Sequence, residues 1–188
     1  MSIQSRRERE RAERERLIVT AARDLAETEG WDAVTTRRLA AEIEYSQPVL
    51  YSHFKGKDAI MAAVAVEGCA ELAAELRAVR TAASGPALAE VAAAYAAFAE
   101  RRPALYDVMF TLAVDLPFAT PEAPAPLKEA FGELRETVRP IAGDDDVDVL
   151  TETFWSGLHG LVTLMRNGRM RREGHERRLA IFIGRFSG

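Results

Sequence analysis

Between Val34 and Asp58 the chain reads VTTRRLAAEIEYSQPVLYSHFKGKD, and this stretch leaves few folds open. Thr35 and Thr36 are hydroxyl caps ahead of Leu39, Ala40 and Ile43, whose spacing of one, three and four residues makes one apolar helical face. Ser46 can cap a second helix. Pro48 is tolerated in a first turn that needs no amide donor, and Leu50 and Phe54 lie four apart on the inward side. With those two turned inward, a step of about 100° per residue leaves Pro48, Val49 and Ser52 outward, Tyr51 and His53 at the edges, and Gln47 at the leading tip. An outward face so poor in charge is unusual for a surface that meets only water.

Two short helices meeting at a tight turn, the second showing short polar and small apolar side chains, are what a helix-turn-helix needs to lower a helix into a major groove. The stretch resembles the DNA-binding segment of the tetracycline-repressor family of transcriptional regulators. The pattern is Thr-Thr, Leu-Ala, a turn, Leu-Tyr-X-His-Phe and a Lys three residues on, present here as Thr35, Thr36, Leu39, Ala40, Leu50, Tyr51, His53, Phe54 and Lys57. The resemblance implies an all-α protein, with a three-helix helix-turn-helix domain over residues 1–56 and a helical-bundle domain for ligand binding and dimerisation over 57–188. Where family members usually show Ala-Gly-Val at the turn, this chain has Ile43, Glu44 and Tyr45. A left-handed Glu44 would cost roughly 1 kcal/mol, with its charge facing the phosphates.

The chemistry of the outward residues suggests roles. The forked guanidinium of Arg37 can donate twice to guanine O6 and N7, Gln47 can pair with adenine N6 and N7, and Pro48 and Val49 can touch a thymine methyl. Arg37 read without the resemblance is a surface arginine. Ser52 shares the outward face. Thr35, Thr36, Tyr51, His53 and Lys57 carry groups that reach phosphate oxygens without reading sequence, and the resemblance gives them that role. His53 reads equally as a helix residue bonded to its neighbours. Lys57 begins a helix, where a cation opposes the macrodipole, so an anion such as phosphate is expected to visit it.

Charge and composition narrow the class. The formal net charge is −4. Residues 33–57 carry Arg37, Arg38, Lys55 and Lys57 against Glu42 and Glu44, a local +2 that leaves −6 elsewhere. A basic tip on an acidic body suits docking on DNA at one end. An apolar fraction of 48% excludes wholesale disorder, and few β-branched residues favour helix throughout. Cys69 is the single cysteine, and His53, His159 and His175 form no metal spacing, so a reducing cytoplasm, no metal, no cofactor and no catalytic site are expected. No apolar run reaches the length of a membrane span, and the start SRRERERAERER is unlike a secretory leader.

Along the chain, residues 1–16 pair Arg with Glu at i,i+4, readable as a frayed helical lace of ion pairs or as an arm along a phosphate backbone. Leu17, Ile18, Ala21, Ala22, Leu25 and Ala26 form a stripe closed by Gly30, after which Trp31 and Val34 return to the core. A long helix from Lys57 carries Ile60, Met61, Val64, Leu72, Leu76 and Val79 and ends near Ser84-Gly85; as the link from head to body, it is expected to transmit any rotation of the body. Pro86 opens an alanine-rich helix, Pro103 forces a break, and four prolines from Pro117 to Pro126 mark a loop. Further helices follow over Leu127–Val138, after Asp144-Asp145-Asp146 to Asn167-Gly168, and around Leu179–Phe186.

In the body, Trp155-Ser156-Gly157-Leu158-His159-Gly160 resembles the Trp-X-X-X-His-Gly signature of one subgroup of the family's C-terminal domains. Trp155 and His159 share a face, as a ligand-binding pair or as packed core. A small apolar or aromatic effector is expected among Tyr95, Phe98, Met109, Phe110, Trp155 and His159, on their apolar and aromatic content. Glycines at 157 and 160 inside a helix imply a close neighbour, which a dimer would supply. The resemblance implies that the last two helices pair with their symmetry mates, with Gly160, Leu161, Met165, Phe182 and Phe186 at the interface. The arginines of residues 166–178 read as solvated surface, diluted by Glu173 and Glu176. The expectation is a cytoplasmic homodimeric repressor binding double-stranded DNA and released by an effector. An effector-free DNA-binding adaptor and a helical-bundle cofactor carrier are the competing classes.

Overall fold

The structure is a computed structural model that describes residues 3–186, so the first two residues of the arm lie outside it. The described residues form α-helices and one 3-10 turn, with no strand among them. The helices are α1 Ile3–Glu29, α2 Thr36–Glu42, α3 Gln47–His53, α4 Lys57–Ala82, α5 Leu88–Arg101, α6 Pro103–Phe110, α7 Ala125–Val138, α8 Val147–Arg166 and α9 His175–Phe186. They divide into two compact units, one of residues 1–68 with 102–123, the other of 69–101 with 124–188.

The first unit is built on α1, whose outer turns are helical through pairs such as Arg6–Glu10 at 3.2 Å and Arg11–Glu15 at 2.8 Å. Its inner turns bury Ile18, Val19, Ala22, Leu25 and Ala26. Leu17, expected in that stripe, stands 44% exposed, because the buried face is centred on Ile18 and Ala22 and leaves Leu17 at its border. Gly30 closes the helix at φ +84°. Trp31 and Val34 are buried as expected, and burial of such an aromatic contributes about 2–3 kcal/mol.

Two further helices contact α1: α2 through buried Leu39 and Ala40, and α3 through buried Leu50. The turn between them is a Schellman motif: Tyr45 N donates to Ala40 O at 2.8 Å and Glu44 N to Ala41 O at 3.3 Å. Glu44 holds the left-handed position at φ +56°. The chain closes α8 the same way with Gly168 at φ +67°, the residue the geometry favours.

The chain crosses between the units within α4, as the link expected there, and again at the start of α6 and after Ala123; α6 belongs to the same compact unit as α1 and contacts it. Gly68 of α4 is the seat of α6. A Cβ there would lie 2.6 Å from Met109 Sδ and 2.7 Å from Leu105 Cδ1.

In the second unit α8 packs between α7 and α9, and α5 contacts all three. Asp146 caps α8, accepting from Asp148 N at 2.8 Å and Val149 N at 3.2 Å, as the acidic triplet implies. A buried carboxylate, Glu133 on α7, joins α7 to α4: it accepts from Arg77 Nε at 2.7 Å and from Arg80 Nε and Nη2 at 2.9 and 2.8 Å. Phe154 is enclosed, with Phe182 and Phe186 of α9 at ring-centroid distances of 5.6 and 5.2 Å.

Candidate nucleic-acid interface

The seven residues of α3 are anchored from beneath by Leu50, which is 0% exposed. Phe54 follows as the half-buried C-cap, its N–H returned to Leu50 O at 3.0 Å. That anchoring turns Gln47, Pro48, Val49, Tyr51 and Ser52 to the surface, as the sequence implies. Ser46 holds the N-cap position, but its hydroxyl makes no capping bond, contrary to the expected role. Pro48 has no N–H to be capped, which removes one of the orphan donors a side-chain cap would serve.

Thr35 caps α2 in the expected way, its Oγ1 accepting from Arg38 N at 3.2 Å. Thr36 Oγ1 lies 3.3 Å from Tyr51 Oη, which ties the outer edges of α2 and α3 together. Ser52 Oγ donates to Val49 O at 2.6 Å within its own helix. His53 is drawn inward: its side chain is 6% exposed and Nδ1 stands 3.4 Å from Glu15 Oε1, while Arg11 of α1 reaches Ser52 O. Of the two readings open for His53, the geometry supports bonding to its neighbours.

Adjacent arginines on α2 have opposite fates. Arg38 is held bidentately by Glu29 at the end of α1, with Nη1 donating to Oε2 at 2.7 Å. That hydrogen bond, and then the opposite charge, lower the Glu29 pKa and raise that of Arg38. Arg37 is exposed and has no side-chain partner among the described residues, and the same holds for Gln47. Lys57 begins α4 as expected, and its ammonium donates to Trp31 O at 2.5 Å, so a backbone carbonyl already supplies one negative partner at this helix start.

Sequence reasoning missed Glu15, Glu27 and Glu29 as partners of this head. They are unremarkable in an Arg/Glu-rich helix, and only the fold brings them to residues far along the chain.

The six residues expected around an effector do not fall in one unit. Met109 and Phe110 lie on α6 in the first; Tyr95, Phe98, Trp155 and His159 lie in the second. Tyr95 and Phe98 are 0% exposed and Met109 2%, so all three are packed core. Trp155 Nε1 donates to Tyr95 Oη at 3.0 Å, and the Trp155 and His159 rings lie 5.8 Å apart. Burial, and then the Arg166 guanidinium, hold His159 below the ordinary imidazole value.

The α8 glycines separate into two cases. The close neighbour of Gly157 is α9 of the same chain, since a Cβ there would lie 2.3 Å from Phe182 Cε2; no dimer is needed to explain it. At Gly160 a Cβ would meet nothing within 4 Å. Met165, expected at a dimer interface, is 3% exposed and belongs to its own chain's core, while Phe182 and Phe186 pack on Phe154. The outward apolar residues of α8 and α9 are Val149, Leu164 and Ile181, with Leu161 half-buried.

A three-helix head with a tight turn, a buried anchor on its second short helix and exposed polar side chains around it define a helix-turn-helix regulator. The chain belongs to the TetR family. The family description "Bacterial regulatory proteins, tetR family" matches residues 18–64, and "Tetracyclin repressor-like, C-terminal domain" matches residues 88–182. Among curated relatives, the HTH-type transcriptional regulator YobS of Bacillus subtilis (strain 168) is 33% identical over 94 residues, covering 50% of this chain and 49% of YobS. The tetracycline repressor protein class D of Escherichia coli is 44% identical over 50 residues, 27% of this chain and 23% of that protein. The matches therefore span about half of the first of these relatives and under a quarter of the second. Among solved structures, a protein from Rhodococcus sp. RHA1 superposes with a TM-score of 0.73 at 22% identity, covering 92% of this chain and 93% of that one. BioQ, solved with a double-stranded DNA operator, superposes at 0.67 with 21% identity, covering 92% and 97%. At these identities the superpositions show the fold.

Proposed function

We propose that this chain is a transcriptional repressor that binds a short palindromic operator as a homodimer and is released from it by a small apolar or aromatic effector. The observation that carries the DNA reading is the state of Arg37 and Gln47: both stand exposed and without a side-chain partner among the described residues, Gln47 at the tip of the helix that Leu50 anchors and Arg37 on α2 next to it. An exposed guanidinium and an exposed carboxamide can each pair with a purine edge. Pro48 and Val49 supply apolar contact. Thr35, Thr36, Tyr51 and Ser52 line the same surface and hold phosphates; His53 and Lys57, engaged within the protein, act by fixing α3 and the start of α4. BioQ, which shares the fold, was solved on its operator, which favours the same use of the head here.

In a dimer the two reading helices stand about 34–36 Å apart, on successive turns of the groove. Gly160, Leu161 and the outward Val149, Leu164 and Ile181 form the dimer surface, with the edges of Phe182 and Phe186. The effector is held near Trp155 and His159, where an indole and an imidazole offer stacking and hydrogen bonds, with Tyr95 beneath them fixing the indole. No helix among the described residues is long and apolar enough to cross a membrane. A regulator of this kind acts where the DNA is, in the cytoplasm.

The test begins with selecting duplexes from a random-sequence pool. Arg37→Ala and Gln47→Ala are then compared on the recovered duplex and on a scrambled one. Each loses about 1–3 kcal/mol of discrimination if it reads a base. Unchanged discrimination in both would remove the assigned reading roles.

A further inference from the structure

The first turn of α6 has no cap of its own. Its N-cap residue, Arg102, makes no side-chain capping bond, and Pro103 has no N–H, which leaves the amides of Ala104 and Leu105 as donors. Both are met from α1: Ala104 N donates to Glu27 Oε2 at 3.2 Å and Leu105 N to Glu27 Oε1 at 3.1 Å. One residue pair further on, Trp31 Nε1 donates to Ala104 O at 2.8 Å, while Trp31 O accepts from Lys57 at the head of α4. Gly68 lets Leu105 and Met109 settle on α4 from the other side. The chain of bonds therefore runs from α6, through Glu27 and Trp31, to the helix that carries α2 and α3 and to the residue that follows α3 by four positions.

Resting on the DNA-binding reading above, we propose that Glu27 and Trp31 are positioning residues for DNA binding, forming a joint through which the placement of α6 and the placement of the reading helix are coupled. A displacement of α6 must either break charge-assisted bonds to Glu27 or carry α1 with it. By linkage, DNA held by the head must also hold the first turn of α6.

The test uses the full chain, a duplex it recovers from a random-sequence pool and a scrambled duplex of equal length. Amide hydrogen exchange is followed at Ala104 and Leu105. In the parent, the recovered duplex slows these amides by about tenfold relative to the scrambled one, within the usual range of coupling between sites. In Glu27→Ala and in Trp31→Phe that DNA-dependent slowing is lost while the Leu50 amide is still slowed; Glu27→Gln, which keeps one carbonyl oxygen, retains part of it. A cap of merely structural importance would raise exchange equally with and without DNA, leaving the DNA-dependent difference intact. That result in Trp31→Phe, which preserves an aromatic in the core, overturns the joint whether or not Glu27→Ala folds. Failure of the parent to recover any duplex overturns the DNA reading itself, and the joint with it.

Discussion

Arg38 and Glu29 form a two-point guanidinium–carboxylate pair that closes α2 onto the end of α1, and the neighbouring Arg37 has no such partner among the described residues. Substitution should separate the two. Arg38→Ala lowers the melting temperature and leaves sequence discrimination in place; Arg37→Ala leaves the melting temperature unchanged and reduces discrimination. The Glu29 pKa is lowered by Arg38, so the contribution of this pair is present at neutral pH and is lost as pH falls through the lowered value. Thermal unfolding between pH 7 and pH 3, parent against Arg38→Ala, would show the two curves converging in acid.

Glu44 occupies the left-handed position of a Schellman turn at φ +56°. Glu44→Gly is expected to stabilise the chain by about 1 kcal/mol through relief of that conformation. It also removes a negative charge from the turn, so affinity for duplex should rise, with a shallower gain at high salt. Urea unfolding and a salt series of binding measurements check the two halves separately.

Gly157 and Gly160 should respond in opposite directions to the same change. Gly157→Ala drives a methyl group into Phe182 and is expected to destabilise by about 1–3 kcal/mol. Gly160→Ala meets no atom of its own chain and gains about 1 kcal/mol of helix propensity. Should the Gly160 face be shared with a second copy, the same alanine raises the dimer dissociation constant. Sedimentation alongside chemical unfolding gives both quantities.

Glu133 has a side chain 8% exposed and holds Arg77 and Arg80 together. Glu133→Ala is expected to cost about 2 kcal/mol in equilibrium unfolding, below the ~3–5 kcal/mol of an entirely buried pair because Arg77 is half exposed and can turn to water.

His159 is kept below its ordinary value of 6.5 by burial and by Arg166. A depressed histidine binds fewer protons folded than unfolded, so stability rises with pH across the interval. Its contribution is present above the unfolded value and is lost as pH drops through the folded one. His159→Gln should flatten that part of the stability profile between pH 7 and pH 5, measured by denaturant unfolding at each pH.

Periodicity and caps made the helices legible: the Thr35 cap, the Leu50 anchor, the break at Pro103 and the Asp146 cap are local events, and local chemistry determines them. The exposed set on α3 followed from the same rule. What the sequence concealed was long-range. Arg37 and Arg38 are identical in composition and differ only in which one faces Glu29. A glycine inside a helix at position 157 implies a close approach, but only the fold shows that the partner is a phenylalanine twenty-five positions on in the same chain. His53 and Lys57 carry the residue types of phosphate contacts, and their engagement with Glu15 and Trp31 depends on the angle at which α1 passes.

The membership of α6 in the first unit makes the reader discontinuous in sequence. A fragment ending at residue 68 would strip Trp31 of its acceptor, leave the Glu27 carboxylate facing water and uncover the notch at Gly68. Grafting this reader onto another body would therefore require transplanting residues 102–123 along with the amino-terminal segment, as a single inlaid module rather than a bead on a string.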